Sequence, residues 1–289
     1  MSTELTEKIR DIEQRHARRR GRGAEKGGAE PLATGWAAVD AALGGGLLRG
    51  GLHEWLGIAE GGHTDNRSVT LSARPTMRPA KQTDNSHWRP ALSVAVHLAW
   101  RVVDASAAGE RVVWVGRNCF PYPAALVRAA SGDGRLLERS LFVAAVSAAD
   151  RVWAVELALR CAALGMVVAD GSGLDMPATR RVQLAAKNAG AAAILLRPAG
   201  ERRVVSAAQT RWLVRAEPSE YDDYMALSRP AWRVELLRCK GRRGESAAEA
   251  WRLEWDHDTG TLHSSAAMAD QAGAAEVRSV GAACGVRSA

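Results

Sequence analysis

The stretch TGWAAVDAALGGGLLRGGLHEWLG, residues 34–57, decides how the rest of the chain is read. Its last part, residues 51–56, has the pattern of a strand, and Gly57 closes it. A helix is expected over 90–107, where Pro90 suits a first turn because its missing N–H is not needed there. A nucleotide-binding protein keeps a tight glycine loop and a lysine between two such elements. Here residues 58–89 intervene, with Gly61, Gly62, Pro75, Pro79, Arg74, Arg78 and Lys81. A connection of this length without secondary structure is uncommon inside a compact domain and is usually functional or disordered.

A Walker A loop, G-x-x-x-x-G-K-[ST], needs backbone N–H groups around the phosphates, a lysine on the β/γ oxygens and a hydroxyl for Mg²⁺. The lysines are Lys8, Lys26, Lys81, Lys187 and Lys240, and none of them follows a glycine. The motif is absent from the whole chain. A tight anion nest does not survive an expansion to this length.

Outward from the opening stretch, short apolar runs alternate with helical ones. Strands are expected over 51–56, 111–116, 141–146, 166–170 and 192–197, and helices over 90–107, 123–130, 151–164 and 178–189. The runs VVWVG, LFVAAV and MVVAD are apolar throughout, as in strands covered by helices on both faces. Strand–helix alternation implies an α/β fold with a parallel sheet. Past residue 197 the pattern becomes strand-like over 210–216, 232–239 and 251–257, which predicts an antiparallel extension on one edge.

The 289 residues carry 39 Lys and Arg against 32 Asp and Glu, a formal charge of +7 supplied almost wholly by arginine. That sign suits phosphate contacts, though arginine content also follows GC-rich coding. Ten Trp stand against three Tyr and two Phe, so indoles are the expected core anchors. Cys119, Cys161, Cys239 and Cys284 form no C-x-x-C pair and the histidines no H-x-x-x-H. No metal site, disulfide framework or cofactor is therefore expected. No apolar run approaches the length of a membrane span and the start lacks a secretory signal, so a cytoplasmic location is expected. Leu5, Ile9 and Ile12 lie on one helical face, followed by a basic, glycine-rich linker at 18–30. The expected organisation is an N-terminal helix and linker over 1–30, one domain over 31–263 with an insertion at 58–89, and a disordered tail over 264–289.

Within 34–57, Thr34-Gly35, Val39-Asp40, the glycines 44–46, Arg49-Gly50 and His53-Glu54 resemble the start of a RecA-type core. There a short helix and glycine turn lead into the first strand and then the P-loop. RRVQLAAKNAGAAAILLRP, QTRWLVRA, AWRVELLRCKGRRG and AWRLEWDHDTGTL extend the likeness, and the chain resembles the ImuA family over about residues 30 to 263. The resemblance implies a RecA-like fold and a role in damage-induced, SOS-controlled translesion synthesis. It also implies partners: an error-prone polymerase, an inactive-type polymerase subunit, and possible self-association or contact with RecA. RecA-type proteins associate through an N-terminal segment, which makes Leu5, Ile9 and Ile12 a candidate partner helix.

The resemblance also tells where the remaining ATPase parts belong. Gly57 stands where the P-loop starts, and Asp170, ending an apolar strand, stands at the Walker B position. An Asp at a strand end is also a common turn residue or helix cap, and without a Walker A loop that reading is the stronger one. The strand VVWVGRN should end in the acidic residue that activates water, but Arg117-Asn118 are there. The expectation is a non-catalytic protein with Gly57 and Asp170 as a vestigial nucleotide site. In RecA-like folds the loops after the fourth and fifth core strands face DNA. The second spans 197–211 here, and Arg197, Arg202, Arg203 and Arg211 read as a grip on phosphates in an exposed loop. Lys240, Arg242 and Arg243 form a second cluster at a hairpin-like turn, and any DNA binding should be independent of sequence. The alternatives are an active ATPase with an atypical phosphate site using Lys81 or Arg89, a SulA-like cell-division inhibitor, and a plain DNA-binding module. SulA-like chains are shorter and lack the strand-rich end that AWRVELLRCKGRRG and AWRLEWDHDTG supply here.

Overall fold

The computed structural model describes residues 31–57, 88–107, 109–129, 132–221, 227–241 and 249–265. The segment holding Leu5, Ile9 and Ile12, the linker at 18–30, nearly all of the 58–89 insertion, Arg242, Arg243 and Cys284 lie outside these residues. So does the tail beyond 265.

The glycine-rich opening folds as helix α1 (Ala37–Leu43), a turn, and strand β1 (Leu52–Gly57). Thr34 donates to Asp40 Oδ1 through both its amide and its hydroxyl at 2.8 Å, and the Gly35 amide donates to Oδ2. That contact explains why the threonine–glycine pair and the aspartate occur together. Gly44 ends α1 in the left-handed conformation at φ 75°. Gly46 is needed for a second reason: a Cβ there would lie 2.3 Å from the carbonyl of Leu32, which pairs with Leu47.

The remaining helices are α2 (Leu92–Ala105), α3 (Pro123–Arg128), α4 (Arg135–Glu138), α5 (Ala148–Leu159) and α6 (Met176–Ala189). Strands β2 (Arg111–Val115), β3 (Ser140–Val143), β4 (Leu164–Asp170) and β5 (Ala192–Pro198) alternate with them. Then come β6 (Thr210–Tyr221), β7 (Leu227–Cys239), β8 (Ala250–Asp256) and β9 (Thr261–Ser265). One nine-stranded sheet runs β3-β2-β4-β5-β1-β6-β7-β8-β9, parallel from β3 to β6 and antiparallel from β6 to β9. The expected α/β core with an antiparallel extension is present. Sequence reasoning placed most strands within two or three residues and missed β9, whose TLHSS carries no apolar alternation. Helix α5 begins three residues before its expected start, because Ser147 caps it by accepting from the Asp150 amide. Asp175 does the same for α6 through the Ala178 amide.

Two cores flank the sheet. One packs α2 against Trp36, Trp55, Trp114, Trp212 and Trp251. Trp55 and Trp212 stack at 4.9 Å, and the remaining indoles join this core at its margin except Trp153, which is open to solvent. The other packs α5 and α6 on Leu52, Val113, Val167 and Leu195. Two histidines are built into the tryptophan side. His53 Nδ1 meets the Thr210 hydroxyl at 2.8 Å and Nε2 meets the Leu48 carbonyl. His97 stacks on Trp36, accepts from the Leu262 amide at Nδ1 and, as the Nε2–H tautomer, donates to the Thr34 carbonyl. Burial lowers both to about 4, so both are neutral at physiological pH.

LFVAAV departs from expectation. Its strand β3 is the sheet edge, and Leu141, Phe142 and Val143 are exposed rather than covered on both faces. Its apolar content reflects an open edge and not a buried centre. Cys119 is fully buried, and desolvation together with the charge of Asp170 raises its thiol well above the ordinary range, so it is inert.

Candidate functional site

The C-terminal ends of β1, β2 and β4 lie along the same end of the parallel sheet, where a nucleotide would sit on an α/β sheet of this kind. At β1, Gly57 is pressed by the returning chain: a Cβ on it would fall 2.0 Å from the carbonyl oxygen of Arg89. The excursion that leaves after Gly57 therefore comes back to the same point before α2 starts. At β4, Asp170 is buried and both carboxylate oxygens are engaged. Oδ2 accepts from Asn118 Nδ2 at 2.9 Å and Oδ1 from the Ser172 amide at 2.9 Å. At β2, Gly116 permits a close approach, since a Cβ there would lie 2.9 Å from Asp170 Cβ. Arg151 closes the junction by donating to the carbonyls of Val146, Asp170 and Ser172. Asn118, at the position of the missing acid, thus binds the aspartate that would otherwise face Mg²⁺. Among the described residues no group of three His, Cys, Asp or Glu side chains could hold a metal.

The segment joining β5 to β6 is too short for a helix. It crosses the α5–α6 side as a 3-10 turn (Ala199–Arg203) and an irregular run to Gln209. A buried irregular run leaves carbonyls without sheet partners, and arginines with five donors each can satisfy them. Arg197 and Arg211, read from sequence as members of an exposed phosphate grip, are buried, and Arg211 does this. Arg197 is 0% exposed, with Nη1 2.9 Å from Glu54 Oε1, Nε and Nη2 on Glu201, and Nη2 also on the Leu174 carbonyl. Arg211 donates to the carbonyls of Arg202 and Glu201, and its Nε lies 2.7 Å from Glu54 Oε2, an ion pair off the ideal hydrogen-bond line. Ser206 completes Glu54 by donating to Oε1 at 2.6 Å. Glu54 therefore ties β1, β5, β6 and the crossover into one network.

Arg202 and Arg203 are exposed at the start of the crossover, followed by the open apolar pair Val204 and Val205. Lys240 lies against the far end of the crossover, its Nζ donating to the Ala207 carbonyl at 2.7 Å. Sequence reading missed two neighbours. Arg238 donates to the carbonyls of Ser206 and Ala208, and Arg180 sits beside Thr179, whose hydroxyl accepts from the Ala207 amide. Neither was legible, because Arg180 belongs to a helix far from 197–211 and Arg238 to a strand paired with Arg211 only through the sheet.

The strand order, the helix placement and the sheet end define a RecA-like protein of the P-loop NTPase type whose sheet has acquired an antiparallel edge. The chain is 30% identical to Protein ImuA of Caulobacter vibrioides strain NA1000 / CB15N over 223 residues, which cover 73% of this chain and 80% of that protein. The match to Protein ImuA of strain ATCC 19089 / CIP 103742 / CB 15 has the same identity and extent. No family model matches. The chain belongs to the ImuA family, so the damage-induced mutagenesis theme implied by the resemblance is that of its own family. Among the described residues no helix is long and apolar enough to cross a membrane.

Proposed function

We propose that the chain is a non-catalytic, RecA-like accessory protein of a damage-induced translesion synthesis complex, bridging polymerase partners and DNA. One observation carries the reading: Asp170, the residue best placed to serve Mg²⁺, spends both carboxylate oxygens on Asn118 and Ser172. With no Walker A lysine in the sequence and no acid at Arg117-Asn118, the described residues of the sheet end offer neither a phosphate clamp nor a base. What remains is a binding surface. The open basic residues Arg202, Arg203 and Lys240 suit sequence-independent contact with DNA phosphates, and the N-terminal segment with Leu5, Ile9 and Ile12 suits a polymerase partner. The substitution Asp170→Asn is isosteric and removes metal affinity; its oxygen can accept from the Ser172 amide, and its NH2 can donate to a turned-over Asn118 amide oxygen. Damage-induced mutation frequency in cells carrying it as the sole copy should match wild type, and a collapse with normal protein levels would overturn the non-catalytic reading.

A second reading has one observation in its favour. Helix α2 starts at the sheet end with no side-chain cap at Ala91, and an uncapped helix start is a place where phosphate can bind. On that reading the protein is an atypical ATPase, and direct nucleotide titration separates the two.

A further inference from the structure

The charges around the crossover do not balance. Arg197, Arg211, Arg238, Lys240 and Arg180 are the cations of this cluster, and Glu54 and Glu201 are the carboxylates that they touch. The inner arginines, Arg197 and Arg211, already share both carboxylates. The outer three are left with backbone carbonyls alone among the described residues: Arg238 on Ser206 and Ala208, Lys240 on Ala207, Arg180 on none. Arg238 is half-buried while Arg180 and Lys240 are exposed, and like charges gathered with no carboxylate in contact favour an anion partner.

Geometry supports a seat rather than a scatter of surface charge. Arg238 faces Arg211 across the β6–β7 pair, which fixes its position, and its Nε–H is buried with no acceptor among the described residues. Ala207 is gripped from two directions, its amide by Thr179 and its carbonyl by Lys240. Arg180 is the exposed residue that follows Thr179 on α6, and its charge acts on Lys240. Burial first, then the charges of Arg238 and Arg180, lower the Lys240 ammonium below its ordinary value. Arg238 is lowered by burial and by Arg211, partly offset by Glu54.

We propose that Arg180, Arg238 and Lys240 form a seat for one phosphate group on the outer side of the crossover. The phosphate would be borne by a nucleic-acid strand, a source that rests on the DNA-binding reading above. The seat would place the strand along the crossover from the Arg202–Arg203 tip toward the β7 end. It would also supply the counter-charge that the protein lacks.

The test uses the full-length protein and a fluorescent oligothymidylate, with anisotropy followed across a sodium chloride series. The variants are Arg180→Gln with Lys240→Gln, and separately Arg202→Gln with Arg203→Gln, each checked for folding by circular dichroism. The first pair should lower the slope of log K against log salt by about 0.7, the value for one phosphate contact on a single strand. An unchanged slope would overturn the seat. If the slope falls only for the tip pair, the DNA reading stands and the seat does not. If wild type binds no oligonucleotide, inorganic pyrophosphate decides. Thermal stabilisation that vanishes in the first pair keeps the phosphate seat and removes the DNA reading, and no stabilisation removes both.

Discussion

Glu54 is the residue whose loss should be felt most. It is fully buried on a central strand and neutralises two buried arginines that come from different strands. Removing one member of such a network leaves charge buried without a partner, which costs about 3–5 kcal/mol. Glu54→Ala should therefore lower stability by an amount of that order in urea unfolding, and Glu54→Gln by less, since an oxygen remains to accept from Ser206. A cost under about 1 kcal/mol for the alanine variant, the range of exposed pairs, would show that the network is not what holds the crossover. The two buried histidines give a pH signature of opposite chemical origin. Their folded values of about 4 lie below the ordinary 6.5, so between those limits the unfolded chain takes up protons that the native state refuses. Their contribution to stability is complete above pH 6.5 and falls as pH drops toward 4. The slope approaches about 1.4 kcal/mol per pH unit for each histidine. Urea midpoints measured from pH 7 to pH 5 should fall steadily, and a flat profile would contradict the neutral, buried assignment.

At the scale of elements, β3 is the exception in the parallel core. An open apolar edge strand is a pairing hazard, and its residues contribute little to the fold. Leu141→Lys and Val143→Thr should change stability by no more than about 0.5 kcal/mol and reduce any self-association seen by light scattering. A loss of several kcal/mol would mean that the strand is covered. The same strand shows the limit of reading elements from sequence. An apolar run announces a strand but not its place in the sheet, so LFVAAV and MVVAD look alike while one is the edge and the other is central. The glycine-rich opening was legible because its chemistry is local: Thr34, Gly35 and Asp40 meet within one turn of chain. Arg197 and Arg211 were not, because their partner Glu54 lies on a strand more than a hundred residues away. Four arginines within one loop look alike in sequence, and burial divides them into two structural and two open.

The whole molecule is a sheet that keeps the RecA-like strand order while the end that would hold a nucleotide is bonded to itself. Gly57 is packed by Arg89, Asp170 by Asn118 and Ser172, and Gly116 by Asp170. On the function proposed above, the molecule is an adaptor whose shape is set by internal contacts and not by a bound triphosphate. Titration of the full-length protein with a fluorescent ATP analogue in the presence of Mg²⁺ tests this most directly. No saturable binding is expected up to millimolar nucleotide, with an identical trace for Asp170→Asn. Micromolar binding that disappears in Asp170→Asn would contradict it.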